Sequence, residues 1–537
     1  MERSLLGLND LPDKVLIIIL KNLSQLEAIS TFIDVNKRLK TIVCDSIFTG
    51  RLTLMRCLSD KCCRPIFDPL LDPMLDRFCL QILPEIHPHI KWLNLESSSM
   101  ERILGATNYP NLYGLGLYNM DTEIARSLFT EESFFGYAFK KQISSIVINN
   151  VVDKKLISMR HTLLFTQIFS LFTNLKYLYF DPSARYSSTL SFDNAPPTVV
   201  SSTLVELHVT FDKFNDCLYL LDGRFNQLQT LYVSMFMIPL LHPKNSNKEK
   251  IPNLKCFSLH CDEETKAYDE LIVPLIQRMS NLEKLDLCFT VISKPTFVDG
   301  NDLKKNIINH LLKLKKISFN IRSIIDLDNQ TNLPSNEDIQ QTFQDFQDNQ
   351  IISCIDYFLE VDKGECLIYS YPYRLKDYDQ ISNNFSGGIF KCVRTVTLCD
   401  EHPFEHEFFL RISQSFPFLK GLTVMNDKPQ RNKLQSEPKK NNRALPIIRY
   451  SHLVKLDLTD AHDDYIEQFL VDWETSLSNV VRLSVFYRPL LRVTRNFTRN
   501  TTRLNCTKVI PLCIYDNGRL SQHIKDYFPS EKVFEVL

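Results

Sequence analysis

The sequence predicts an α/β chain: a small N-terminal module of three helices, then an irregular array of strand–helix units. Stacked together, those units form a curved parallel sheet with helices on the convex side. Two observations predict this. Apolar residues at helical spacing run from Leu8 to Val43. A six-residue pattern, L-x-x-L-x-L with Leu, Ile, Val or Phe at the apolar places, then recurs from Ile90 to Val485. From Leu93 to Ile317 its central residue returns eight times in 224 residues, a mean step of 28.

The elements follow in order. Asp10 is expected to cap a first helix that Pro12 enters in its first turn, where a missing N–H costs nothing. Val15, Leu16, Ile19, Leu20 and Leu23 form its apolar stripe. A second helix follows Ser24, with Leu26, Ile29, Phe32 and Ile33 inward, and a third starts near Asn36 with Leu39, Ile42 and Val43. Residues 1–50 make this module, and 51–88 read as a packed helical connector holding Cys57, Cys62, Cys63 and Cys79.

Residues 89–487 carry the array. Its central pattern residues are Leu93, Leu115, Ile146, Leu178, Leu207, Leu231, Phe257, Leu285 and Ile317, then Val396, Leu422, Leu456 and Leu483. Alternation in the last three pattern residues marks a short strand with one face inward. The intervening residues keep helical spacing, as at Leu271, Leu275, Ile276 and Met279. A single strand–helix unit cannot bury its apolar face alone, so successive units stack. Several copies open with Asn or Pro, as in Pro110-Asn111-Leu112 and Pro252-Asn253-Leu254. The interval from Ile317 to Val396 is 79 residues; Cys366-Leu367-Ile368-Tyr369 reads as a degenerate strand within it. An acidic insertion near 323–362 and a basic loop near 428–443 interrupt the array. Residues 488–537 form a C-terminal cap, helical over Arg488–Leu504 and extended over Lys508–Tyr515.

A 20–29-residue period carrying this pattern resembles the leucine-rich repeats. The Asn or Cys that such repeats place after the strand is missing: Ser98, Met120, Val151, Asp212, Asp262 and Thr290 stand there. The N-terminal residues Leu11-Pro12, Leu16, Ile19-Leu20, Leu23, Val35 and Lys37-Arg38-Leu39 resemble an F-box. Leu39 stands where that module usually carries Trp, and its middle helix is polar at Ser24, Gln25 and Glu27. The resemblance implies docking to a Skp-type adaptor and, through it, to a cullin. Leu11, Pro12, Leu16, Ile19 and Leu20 would form the adaptor-binding edge, flanked by Val15 and Leu23.

Composition narrows function. With 62 basic against 63 acidic residues the chain is no general nucleic-acid binder. The longest aliphatic run, Val15–Leu20, is far below the ~20 residues a membrane span needs. Only 13 glycines occur in 537 residues, and no glycine-rich phosphate loop or nucleophile elbow is present. No secretory signal is expected, so the 15 cysteines read as reduced and the site of action as cytoplasm, nucleus or both. Cys399-x2-His402-x3-His406 has metal-like spacing, but Pro403 interrupts it and it lacks a fourth ligand; a polar turn is the preferred reading. His462-Asp463-Asp464 reads as a helix N-terminus rather than an acid–base group. Arg492, Arg495, Arg499 and Arg503 read as one charged helix side.

The expected function is therefore substrate recognition in an SCF-type ubiquitin ligase, without catalysis, cofactor or metal in this chain. A repeat scaffold independent of ubiquitin transfer is the second reading, and an enzyme the third. The target would meet the sheet's outward positions: Trp92, Tyr118, Tyr177, Tyr179, His208, Tyr232, Asp286 and Asp457. Neither nucleic acid nor membrane is an expected partner.

Overall fold

A computed structural model describes residues 8–59, 65–121, 124, 128–130, 132–152, 158–181, 190–192, 199–240, 250–328, 332–346, 350–433, 446–477, 480–515, 523–528 and 533–536. They fall into two compact units. The first comprises Met1–Asp60, Arg64–Ile292 and Asp302–Ser318; the second comprises Lys61–Cys63, Ser293–Asn301 and Phe319–Leu537.

The first unit opens with α1 (Asp13–Leu20), α2 (Gln25–Phe32), α3 (Lys37–Val43) and α4 (Ser46–Thr49). Pro12, not Asp10, occupies the N-cap position of α1, extended at φ −60° and ψ 149°, and Asp10 lies in a preceding 3-10 turn. Ser24 and Glu27 close a reciprocal capping box on α2, and Asn36 accepts from the Leu39 N–H at 2.8 Å on α3. Arg38 clamps the module by donating to Leu11 O at 2.5 Å and pairing with Asp13 at 2.6 Å.

The connector is not helical at its start. Leu52 and Leu54 are buried on alternate positions of β1 (Arg51–Leu54), and β2 (Arg56–Ser59) pairs antiparallel with β3 (Pro65–Asp68). Among the described residues of the connector, helical turns begin at Asp72 and run to His89. Cys62 and Cys63 lie outside the described residues.

The strands that follow are β4 (Trp92–Glu96), β5 (Gly114–Asp121), β6 (Ser145–Val152), β7 (Tyr177–Asp181), β8 (Glu206–Phe211), β9 (Thr230–Met235), β10 (Cys256–Thr265) and β11 (Lys284–Ile292). They lie side by side in sequence order after β1, every pair parallel. The central pattern residues Leu93, Leu115, Ile146, Leu178, Leu207, Leu231, Phe257 and Leu285 fall in register as one line, which Leu52 of β1 extends. All are buried, and the alternation turns the opposite sheet face toward solvent. Helices cover the apolar side: Phe165 of Ser158–Leu171 meets Phe180 edge-on, ring centroids 5.5 Å apart.

One backbone contact repeats with the strands. The Lys91 and Trp92 N–H groups share Gly50 O; Tyr113 and Gly114 share Lys91 O; the same pairing continues to Glu283 and Lys284 on Lys255 O. Side-chain amides reinforce it just ahead of the strands, Asn111 donating to Pro88 O at 2.7 Å and Asn253 to Asn226 O at 2.6 Å.

The last strand, β12 (Lys316–Asp326), begins in the first unit and ends in the second. In the second unit it pairs antiparallel with β14 (Lys363–Ser370), which pairs antiparallel with β13 (Ile351–Phe358). The acidic insertion thus supplies the end of β12, all of β13 and a helix at Asn336–Gln341. The degenerate strand at Cys366–Tyr369 exists, but it runs antiparallel.

A second parallel sheet holds β15 (Asp377–Ile381), β16 (Thr395–Cys399), β17 (Gly421–Met425), β19 (Lys455–Asp457), β21 (Val481–Phe486), β22 (Val509–Tyr515) and β23 (Val533–Val536) in that order. Between them β18 (Ile448–Tyr450) and β20 (Thr475–Leu477) form a two-stranded sheet. Tyr378, Val396, Leu422, Leu456, Leu483 and Leu512 line up in register within the aromatic-rich core. The predicted helix Arg488–Leu504 is two helices, Tyr487–Val493 and Asn500–Cys506, parted by positive φ at Arg495, Asn496 and Phe497.

Candidate functional site

Two surfaces of the first unit carry the residues singled out by the sequence. The first is α1. Six aliphatic residues in a row, Val15 to Leu20, wrap the whole circumference of an eight-residue helix, so they cannot all face inward. Leu16 and Leu20 are buried at 0% and 1% exposure. Val15, Ile18, Ile19 and Leu23 stay exposed, Ile18 at 65%. Leu11 is half-buried and Pro12 exposed. Of the expected edge, Leu16 and Leu20 thus hold the module together from inside, and the surface belongs to Leu11, Pro12, Val15, Ile19 and Leu23. Ile18 was missed, although the unbroken run signals that some member must face out.

The second surface is the polar face of the parallel sheet. Trp92 was expected to project from it, yet it is 8% exposed. Its ring lies over Gly114, where a Cβ would come within 2.0 Å of it. The Arg51 guanidinium sits 4.5 Å above the ring, and the indole N–H donates to Asn94 Oδ1 at 2.7 Å. Tyr118 is half-covered by Phe67, ring centroids 4.5 Å apart. This end of the face is closed by its own side chains.

Further along, the face opens. Tyr179, His208, Tyr232, Ser258 and Asp286 stand opposite one another on β7 to β11. His208 stacks on Tyr232 at 4.1 Å and lies 5.5 Å from both Tyr177 and Tyr179. Its Nε2 is 2.7 Å from Glu206. Asp286 accepts from the Ser318 hydroxyl at 2.7 Å and from the Ser258 hydroxyl at 3.1 Å. Burial, then the nearby Asp181, pushes the Tyr179 phenol up to about 12. Burial also lifts Tyr232 to about 12, with its Cys256 contact and then Glu206 and Asp286 adding to it. Both phenols are neutral at physiological pH. Asp457 lies in the second unit, its carboxylate 2.8 Å from the Thr459 hydroxyl and 3.8 Å from Lys455.

The other candidate clusters, all in the second unit, are internally engaged. His402 faces Asp400 at 3.4 Å, whereas His406 reaches Pro446 O at 3.0 Å and Gln468 at 3.2 Å; Cys399 is not drawn to either. Among the described residues no group of three or more His, Cys, Asp and Glu is placed to hold a metal. His462 caps the helix Asp463–Leu470 through its Nδ1, and Asp463 takes both arms of Arg492. Arg499 pairs with Glu467 at 2.5 Å, and Arg503 sits over the Tyr527 ring. The oppositely charged segments meet each other: Lys428 pairs with Glu360 at 2.8 Å. Lys433 bridges Asp464 and Glu467, both at 2.6 Å. Lys439, Lys440 and Arg443 of the basic loop lie outside the described residues. Among the described residues no helix is long and apolar enough to cross a membrane.

No protein-family model matches the chain, and no curated protein aligns with it.

Proposed function

We propose that this chain is the substrate-recognition subunit of an SCF-type ubiquitin ligase, an F-box followed by a leucine-rich-repeat array. The observation that supports this most is α1: a short helical module leaves Val15, Ile18, Ile19 and Leu23 uncovered on one short segment. Exposed aliphatic side chains clustered beside a proline-led helix start are a protein-docking surface. The in-register line from Leu52 to Leu285 supports the repeat reading. Its polar face offers tyrosines, which give contact area at low entropy cost.

The mechanism is proximity. The helical module joins a Skp-type adaptor and, through it, a cullin; the sheet face holds a protein target; partner subunits transfer ubiquitin. Holding target and charged ubiquitin together raises their effective concentration. No nucleophile, cofactor or metal in this chain takes part, and the assembly acts in cytoplasm, nucleus or both.

The test is co-elution. Full-length protein mixed with a Skp-type adaptor and a cullin should elute as one complex on size exclusion, and the Val15→Asp/Ile19→Asp variant should elute alone. Separate elution of the unmodified proteins contradicts the proposal and leaves a scaffold independent of ubiquitin transfer as the better reading.

A further inference from the structure

We infer that the open face of β7 to β11 takes a basic peptide segment of the target, seating an arginine or lysine side chain over Tyr179, His208 and Tyr232 between Glu206 and Asp286. This rests on the reading of the chain as a target receptor and names the chemistry of what it receives.

The aromatic surface is continuous. His208 lies between Tyr179 and Tyr232 on neighbouring strands, and Tyr232 is 36% exposed. Aromatic faces carry negative charge at their centres and attract guanidinium and ammonium groups. The nearest charges are the carboxylates of Glu206 and Asp286, while the His260 imidazole further along β10 is spent on Asp262 at 2.9 Å. Glu206 stands beside His208, and Asp286 stands two strands beyond Tyr232 in the same line. Asp286 is held by two neutral hydroxyls and, among the described residues, pairs with no cationic side chain, so its charge is available to a visitor. Asp181 and Asp262 lie toward the strand ends, while the lysines of this face, Lys284 and Lys316, stand at the strand starts. An extended chain bearing a cation meets aromatic faces and the Asp286 carboxylate here. An acidic chain or a nucleic-acid phosphate meets repulsion.

The experiment uses the full chain and a fluorescein-labelled Arg-Gly-Arg-Gly-Arg-Gly peptide, with the Glu-Gly-Glu-Gly-Glu-Gly peptide as control, read by fluorescence polarisation. Saturable binding of the arginine peptide is expected. Both Asp286→Asn and Tyr232→Ala should weaken it by about tenfold, as loss of a charge contact or a cation–aromatic contact does. Asp286→Asn keeps shape and hydrogen bonding, so a fault in folding of Tyr232→Ala does not obscure the result. Failure of the arginine peptide to saturate at about millimolar concentration, binding by Asp286→Asn as tight as that of the unmodified chain, or binding of the glutamate peptide as tight as that of the arginine peptide overturns the inference. The Val15→Asp/Ile19→Asp variant, measured alongside, should bind the arginine peptide normally. Adaptor capture without peptide binding overturns this inference alone, and peptide binding without adaptor capture overturns only the ligase reading.

Discussion

Asn281 donates its side-chain amide to the main-chain carbonyl of Pro252, one sequence repeat earlier, at 2.7 Å. Asn253 does the same to Asn226 O, Asn174 to Lys141 O and Asn111 to Pro88 O. The sequence lacks an asparagine or cysteine line after the strands, and these amides supply an equivalent line before them. Each satisfies a loop carbonyl that would otherwise rely on water. Replacing Asn253 by Ala should cost about 1 kcal/mol, measured by urea denaturation, and should speed hydrogen exchange at Lys255 and Cys256. Unchanged exchange there would show that the amide line contributes nothing to the stacking.

Trp92 and Gly114 are fitted to one another. A Cβ on Gly114 would strike the indole, so Gly114→Ala should destabilise the first unit by about 1–3 kcal/mol. In a Trp92→Ala background the same change should be nearly free, and a double-mutant cycle measures the difference. Equal costs in both backgrounds would contradict the fit.

The two faces of α1 should separate stability from binding. Leu16→Ala opens a cavity in the module and should cost about 2–5 kcal/mol. Ile18→Ser removes exposed apolar area and should leave the melting temperature unchanged within a degree or so. Thermal denaturation of both variants checks this.

Glu474 gives the second unit a pH dependence. It is 4% exposed; burial, and then the neighbouring Glu467 carboxylate, push its carboxyl up to about 7. Glu467 itself is pushed up by burial, but hydrogen bonds from Lys433 and Arg499 outweigh this and leave it lowered. A raised carboxyl means the folded chain holds the Glu474 proton more tightly than the unfolded chain, whose carboxyl titrates near ~4.3. This group's contribution to stability is therefore fully present below that value, declines as pH rises to about 7, and levels off above. The decline should amount to about 4 kcal/mol and vanish in Glu474→Gln, read by urea denaturation on either side of that window. Parallel pH profiles for the two proteins would contradict it.

Much of the fold was legible where periodicity and burial coincide. Leu93 to Leu285 could be placed on strands because each pattern copy repeats three apolar residues at the same spacing. Ser24 and Asn36 announced their helices by side-chain capping chemistry. Leu52 and Leu54 were passed over because Thr49 stands where the pattern needs its first apolar residue, and only pairing with Trp92–Leu95 makes the strand visible. Cys366–Tyr369 showed strand character, but its direction depends on Asn320–Asp326 across the ladder, a partner more than forty residues away. Trp92 was misread because alternation gives the face a residue is on, not whether a neighbour is small enough to let it lie flat. In α1, helical spacing correctly gave an apolar stripe; which half of it is buried depends on α2 and α3.

Gln340 adds a device no periodicity reveals. Its amide donates to Ile351 O at 2.9 Å and accepts from the Ser353 N–H at 3.2 Å, pairing with β13 as another strand would. Gln340→Ala should cost about 1–2 kcal/mol and accelerate exchange at Ser353, measurable by hydrogen exchange and mass spectrometry. Retained protection at Ser353 would contradict it.

The most direct measurement is calorimetric titration of the full-length protein with a purified Skp-type adaptor. One-to-one binding that Val15→Asp/Ile19→Asp weakens by about thirtyfold or more, with the melting temperature of that variant unchanged, is the predicted result. No heat of binding with the unmodified chain, or equal affinity for both proteins, would contradict it.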